Sequence, residues 1–388
     1  MTVKRSAPSA PLYLWTLDGW ESELMYQAVV ESKSGGTKTV YHKRLYVEVV
    51  LDACTKYPIG YAIGDSESPD LVRAALRDAV NHTISLFGSR FKPAQLQMDH
   101  AGFKTLLPLY EKVAKYVTPA AVRNAKAKVI EPWFRLFNDR YCHLQTNWSG
   151  YGATARKENQ PNKDYINKFR HDFPDRQGNI EQLTRFLEAE RARLRSEFLE
   201  KWESMPAENR FPMTDEQYLL AFGVRSERTY LLRPTGITLT IGGRKRDYDS
   251  FDHEFRRHSS TRWTVVYDPD FSAAALAVSE DGSLRFALEE KYVQPMALIE
   301  RKEGDAEALH RVWDFNKAEE QRVASLYAGS PDPLRVEGRT EPKTELSRDV
   351  DTLRKLLVVD SEGQHKSVLA EARLRAEQET VEDVEDLY

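Results

Sequence analysis

Three carboxylates stand where a metal ligand fits better than a surface charge. Asp18 lies inside the apolar run Leu12-Tyr-Leu-Trp-Thr-Leu-Asp-Gly-Trp20, Asp99 closes the strand-like run Ala94-Gln-Leu-Gln-Met-Asp99, and Glu131 falls in a helix-like stretch from Ala120 to Leu136. A charge among apolar neighbours is costly unless it is paired or metal-bound. The end of a strand is where open α/β sheets place their ligand crevices. Two strand carboxylates and one helix carboxylate can converge on two divalent cations about 3.5–4 Å apart, an arrangement that serves phosphoryl transfer on nucleic acid. An all-oxygen donor set suits Mg2+, with Mn2+ able to substitute. Taken singly, each residue is explained as well by a surface or structural charge, since the chain has 60 Asp and Glu. Only the three together point to a site.

Cations sit close to the third carboxylate. Lys126 and Lys128 precede Glu131 and Arg135 follows it, with Lys128 and Arg135 each about one turn away on the same helical face. Arg156 and Lys157 follow, and Arg244-Lys245-Arg246 comes directly after Gly242-Gly243 at an expected hairpin tip. A basic hairpin can hold a phosphate backbone without reading sequence; a solubilising turn accounts for it equally well. Arg256-Arg257-His258 would extend the same surface, and His100 either touches a phosphate or is a plain structural residue. Trp133, Phe134 and Phe137 at helical spacing are expected in the core. Pro132 disfavours helix for the residue before it, so the helix is expected to start or kink at Glu131. No GxxxxGK[ST] loop occurs, which excludes ATP hydrolysis by this motif.

The elements that must position these residues follow from periodicity. Strands are expected at Leu12–Asp18, Leu45–Asp52 and Ile59–Ile63, the last two as a hairpin around Asp52-Ala-Cys-Thr-Lys-Tyr-Pro58. Ser68-Pro69 opens a helix that Gly88 ends. The strand to Asp99, a helix near Phe103–Lys115, a short strand Tyr116–Thr118 and the helix bearing Glu131 complete the order β-β-β-α-β-α-β-α. That order predicts an α/β fold: a mixed sheet with helices on both faces. Ile180 to Trp202 reads as a charged helix whose charges form a solvated face. Segments 228–233, 236–241, 261–267, 274–278 and 283–287 read as short strands separated by turns, which suggests a small all-β barrel. The expected division is a lead-in at 1–10, a catalytic domain at 11–205, a linker at 206–222, the barrel at 223–304 and a helical, acidic, partly disordered tail at 305–388.

Totals narrow the class. The chain has 388 residues, 41% of them hydrophobic, enough for two or three domains with a sizeable core. It contains no apolar run long enough to span a bilayer and no secretory leader pattern. Cys54 and Cys142 are far apart and outside any CxxC, which favours a reducing compartment over a structural zinc site. The net charge of −4 hides an asymmetry: ten Lys and Arg against four acids from Arg123 to Arg170, but thirteen acids against seven bases from Glu341 onward.

With Leu17-Asp-Gly-Trp20, Met98-Asp-His-Ala-Gly102, Ala125-Lys-Ala-Lys-Val-Ile-Glu131 and Lys157-Glu-Asn159, the chain resembles the DDE transposase and integrase superfamily, most of all the phage Mu type. The resemblance covers roughly residues 12–300 and implies an RNase H-like catalytic core followed by a β-barrel. It implies metal-dependent cleavage at transposon 3′ ends and strand transfer into target DNA, with Asp18, Asp99 and Glu131 as catalytic carboxylates. Asp18 and Asp99 would hold one Mg2+ and Asp18 and Glu131 the other, with Lys128 and Arg135 on phosphates. The implied partners are transposon-end and target DNA, further copies of the chain, and an AAA+ ATPase reached through the acidic tail; the implied place is the bacterial cytoplasm, at the nucleoid. An RNase H-like nuclease that only hydrolyses, and a DNA-binding scaffold with a dead site, are the alternatives.

Overall fold

A computed structural model of the chain describes residues 6–31, 35–99, 103–119, 129–150, 161, 163–233, 235–258 and 260–327, with backbone pieces at 358–359 and 365–366. Its first sheet contains β1 (Leu14–Glu31), β2 (Thr37–Asp52), β3 (Pro58–Gly64), β5 (Gln95–Met98) and β6 (Tyr116–Pro119), with β4 (Phe91–Lys92) lying outside it. The strand order is β3-β2-β1-β5-β6. β2 runs antiparallel to both β1 and β3, whereas β5 and β6 run parallel to β1. The expected strand ending at Asp18 is thus much longer, running on to Glu31, with register shifts at 21–25 and 26–28 that break its alternation.

Local chemistry sets the element ends. The buried Asp52 carboxylate closes the β2–β3 turn by accepting the N–H of Leu12 at 2.8 Å and of Thr55 at 2.9 Å. Helix α1 (Pro69–Phe87) is capped by the Ser68 hydroxyl, which accepts the Leu71 N–H, and stops at Gly88 with φ 78. Helices α2 (Phe103–Val113) and α3 (Ile130–Phe137) follow, and α3 passes into a π-helical turn at Asn138–Cys142. The expected long helix bearing Glu131 therefore begins at Ile130, with Pro132 in its first turn, where a missing N–H costs nothing; residues 120–128 lie outside the described set.

Helices cover both faces of the sheet. Trp15, Leu17 and Val50 face Ala75, Leu76 and Ala79 of α1 and Leu106 and Tyr110 of α2. Val47, Val49 and Leu51 face Ile130, Trp133, Phe134 and Phe137 of α3. After α4 (Lys163–Phe169), the 28-residue α5 (Arg176–Glu203) supplies Leu183 and Leu187 to the second layer and Leu194, Phe198 and Trp202 to the first. Its charges are not all solvated. Buried Glu190 accepts from Arg140, Tyr141 and Arg193, and buried Arg191 donates to the Pro58 and Ile59 carbonyls and to Asp78. Buried charges persist when they are paired in this way.

Residues 206–222 contain β7 (Phe211–Pro212), paired with β4, and α6 (Asp215–Phe222), capped by Thr214. A nearly closed, barrel-like antiparallel sheet follows, built from β8 (Val224–Leu231), β9 (Ile237–Ile241), β10 (Arg244–Asp249), β11 (Arg262–Tyr267), β12 (Ala274–Ser279) and β13 (Arg285–Glu290). Its order is β8-β11-β12-β13-β10-β9. Alternation is clean in β9, where Ile237, Leu239 and Ile241 are buried between exposed threonines. Helix α6 joins this sheet to the core: Tyr218, Leu219 and Phe222 pack in one apolar interior with Val266, Leu276 and Val278. Arg77 of α1 bonds the buried Asp268 at 2.6 Å, and Asp268 also accepts from Tyr218. These parts form one compact unit, up to Ser250 together with His258–Glu290.

The second unit comprises Phe251–Arg257 and the chain from Lys291. In it α7 (His253–Arg257) meets α8 (Asp305–Tyr327): His253 stacks on Phe315 at 4.4 Å and bonds Glu319, and Arg311 lies 3.9 Å over Phe251.

Asp268→Ala leaves Arg77 and Tyr218 without their shared acceptor and is expected to cost about 3 kcal/mol or more in urea unfolding at pH 7. Burial pushes the Asp268 carboxyl up, but the bonds from Arg77 and Tyr218 prevail and hold it below its ordinary value. Its stabilisation is therefore present above the unfolded carboxyl pKa of about 4 and lost as pH falls below it. Wild-type and variant midpoints should converge in acid.

Candidate active site

Asp18 lies on β1 opposite Val49, so it shares the face that α3 covers. It is half-buried, and its Oδ1 accepts the Gly19 N–H at 3.2 Å. On the other side of β1 the parallel register reads Trp15 with Leu96 and Thr16 with Gln97. Two residues further along each chain come Asp18 and Asp99. The paired register stops two residues short of both carboxylates. Asp99 itself is exposed, just past the end of β5.

Glu131 is exposed in the first turn of α3. Trp20 fixes that helix to β1, stacking on Phe134 at 5.7 Å and meeting Phe137 edge-on at 6.0 Å. Asp18 is two residues before Trp20 on the strand, and Glu131 is one turn before Phe134 on the helix. One aromatic contact therefore sets the relation of the strand carboxylate to the helix carboxylate. As expected, Trp133, Phe134 and Phe137 are buried core.

The edge of β1 is open at this point. Pairing with β5 ends at Thr16. On that side it resumes at Glu23, whose carbonyl accepts the Ser149 N–H at 2.7 Å, and at Met25, whose N–H donates to the Asn147 carbonyl at 2.8 Å. Among the described residues, Leu17–Ser22 have no strand partner on that side.

The surroundings are acidic. Glu48 pairs with Gly19, is 3% exposed, and has its carboxyl pushed up to about 8 by burial and by the charges of Asp18 and Glu67. The Tyr46 phenol is raised by burial and by Glu67, Glu48 and Asp18. Gly19 is required here: a Cβ would lie 2.3 Å from the Tyr46 ring and 2.7 Å from the Glu48 carboxylate. Trp20 hydrogen-bonds Glu23, whose carboxyl burial pushes up to about 7. Glu48, Glu67 and Trp20 were not among the expected site residues. Glu48 had a readable signal, as the sole charge in the run Leu45–Leu51.

The expected DNA contacts divide. Lys126, Lys128, Arg156, Lys157 and His100 lie outside the described residues. Arg135 is exposed in the last turn of α3, four residues after Glu131. Arg244 and Lys245 are exposed at the start of β10, which is a full strand of the barrel. Arg246 instead makes two bonds, of 2.7 and 2.8 Å, to Glu290 across the sheet. Among the described residues, no three His, Cys, Asp or Glu side chains are gathered into a ready-made metal cluster.

No family model matches the chain, and no curated protein matches it significantly. No described helix is long and apolar enough to cross a membrane.

Because the Glu48 carboxyl is raised, wild-type stability should fall as pH rises from about 4.5 to about 8 and level off above that. Glu48→Gln lacks the titrating group. In EDTA it should match wild type near pH 5 and become progressively more stable relative to it up to pH 8. Urea midpoints across that range decide; parallel curves would remove Glu48 from the acidic cluster.

Proposed function

We propose that this chain is a DDE-type DNA transposase that cleaves the 3′ ends of a mobile element and joins them to target DNA. What supports the reading is that Asp18 and Asp99 each follow by two residues the last paired positions of neighbouring parallel strands, and that Asp18 lies on the sheet face against which the helix carrying Glu131 packs. The mixed sheet with its element order, and the barrel-like sheet after it, fit an RNase H-like core with the appended barrel that the sequence resemblance implies.

The donor set fits a hard divalent cation. Asp18, Asp99 and Glu131 offer only carboxylate oxygens, and the charges of Asp18 and Glu67 already disfavour ionisation of Glu48. Such mutual repulsion is what a cation relieves. Asp18 would be shared between two Mg2+, with Asp99 and Glu131 completing one set each. Bound there, Mg2+ would polarise a phosphodiester and lower the pKa of an attacking water or 3′-hydroxyl. The protein's own part is to place the carboxylates and hold the substrate. Trp20 keeps α3, and with it Glu131, against β1. Arg135, on the Glu131 face of α3, would meet a substrate phosphate held at these carboxylates. Gly19 leaves room for Tyr46 and Glu48. Target DNA, further copies of the chain and an AAA+ ATPase meeting the acidic tail are the partners this reading carries.

The assay supplies element-end DNA, intact or precut, with Mg2+ and a target plasmid. Asp18→Asn, Asp99→Asn and Glu131→Gln should each take cleavage and joining below detection while leaving DNA binding near the wild-type level. Retained joining in Asp18→Asn would sink the assignment, and nicked but never joined products from wild type would make the protein a hydrolytic nuclease.

A further inference from the structure

The barrel-like sheet is open between its two edge strands, β8 and β9. A groove of about 610 Å3 runs along this seam, and Arg225, Arg228, Lys245, Tyr230 and Tyr267 contribute to its lining. It continues into a recess of about 310 Å3 that shares Tyr230 and Thr238 and adds Arg233 and Arg262. Against these five cations the linings contain one acid, Glu227. Among the described residues, Arg225, Arg228 and Lys245 form no ion pair, in contrast to Arg246 on the same sheet. At Arg225 the seam meets a further group of cations. The Lys112 amine is lowered by burial and then by the charges of Arg73, Arg225 and Arg285.

Unpaired cations interleaved with aromatic rings and hydroxyls are what a flexible polyanion with flat bases requires. An added peptide strand is the competing occupant of an open sheet edge, but β8 is blunted against it. Residues 226–228 bulge opposite Val265 alone, and the Ser226 hydroxyl accepts the Val265 N–H while donating to the Arg228 carbonyl. Such a bulge interrupts the regular ladder that strand addition needs.

We propose that the seam between β8 and β9 holds a segment of single-stranded DNA, with phosphates on Arg225, Arg228 and Lys245 and bases against Tyr230 and Tyr267. The ligand class rests on the transposase reading. The site is separate from Asp18, Asp99 and Glu131 and needs no metal. It would hold an unpaired stretch of a strand opened near the cleaved position.

The test is fluorescence anisotropy of the full chain with a short labelled oligothymidylate in EDTA, over a salt series. Wild type should bind. The double variant Arg225→Glu, Arg228→Glu should lose at least about tenfold in affinity and flatten the salt slope by about 1.4, from two phosphates at about 0.7 each. Tyr230→Ala should weaken binding about fivefold or more. Should the charge reversals lower the melting temperature, Arg225→Ser, Arg228→Ser replaces them, with the same loss expected. A folded double variant that binds like wild type overturns the proposal. So does tighter binding of a duplex of equal length, or equal competition by polyglutamate, which would assign the seam to an acidic polypeptide. Asp18→Asn separates the two readings, because it should keep oligonucleotide affinity while losing cleavage. Loss of binding in the seam variants of a protein that never cleaves leaves the seam standing and removes the transposase reading. Unchanged binding in a protein that does cleave has the opposite meaning.

Discussion

The mixed pairing of β1 is the constraint on which the arrangement rests. Every buried backbone N–H and C=O needs a partner. β1 pairs on one side with β2 along most of its length, with two register shifts, but on the other side it pairs with β5 only through Thr16 and is next met near Glu23. The break falls on the stretch that carries Asp18, and it exists because β5 ends at Met98, one residue before Asp99. One topological event thus ends the pairing just short of both Asp18 and Asp99 and leaves that stretch of β1 without a strand partner on this side among the described residues. Trp20, inside the same break, turns the gap into an anchoring point for α3.

Acidity around this point is maintained by the sheet itself. Glu48 is held beside Gly19 by strand register, buried and close to like charges. A carboxyl in that position is destabilising to the isolated fold when ionised.

Much of the framework was legible from residue pattern. The strand at Leu45–Asp52, the Ser68-Pro69 start and Gly88 stop of α1, and the short strand to Asp99 rest on local alternation and capping, which act without tertiary context. The far half of β1 was hidden because two register shifts break its alternation. β10 was hidden because Tyr248 is its one buried side chain, so Arg244-Lys-Arg246 reads as a turn. Glu190 and Arg191 read as solvated because their partners, Arg140 and Asp78, come from distant segments. Asp18, Asp99 and Glu131 were readable as residue types in context. Their relation was not, since it depends on which strands pair in parallel and on where that pairing stops. Composition marks 206–222 as a break between segments; the burial of Tyr218 and Phe222 against barrel strands is a tertiary fact with no local signature.

Helix α5 gives Leu183 and Leu187 to one layer and Phe198 and Trp202 to the other, so neither layer is complete without it. It leaves the ribosome well after Glu131. A nascent chain that already displays all three carboxylates still lacks the helix that closes both layers around them. Vectorial synthesis thereby keeps both layers incomplete until residue 203 has emerged, and a truncated translation product ending before that point would carry Asp18, Asp99 and Glu131 without a finished sheet-and-helix framework.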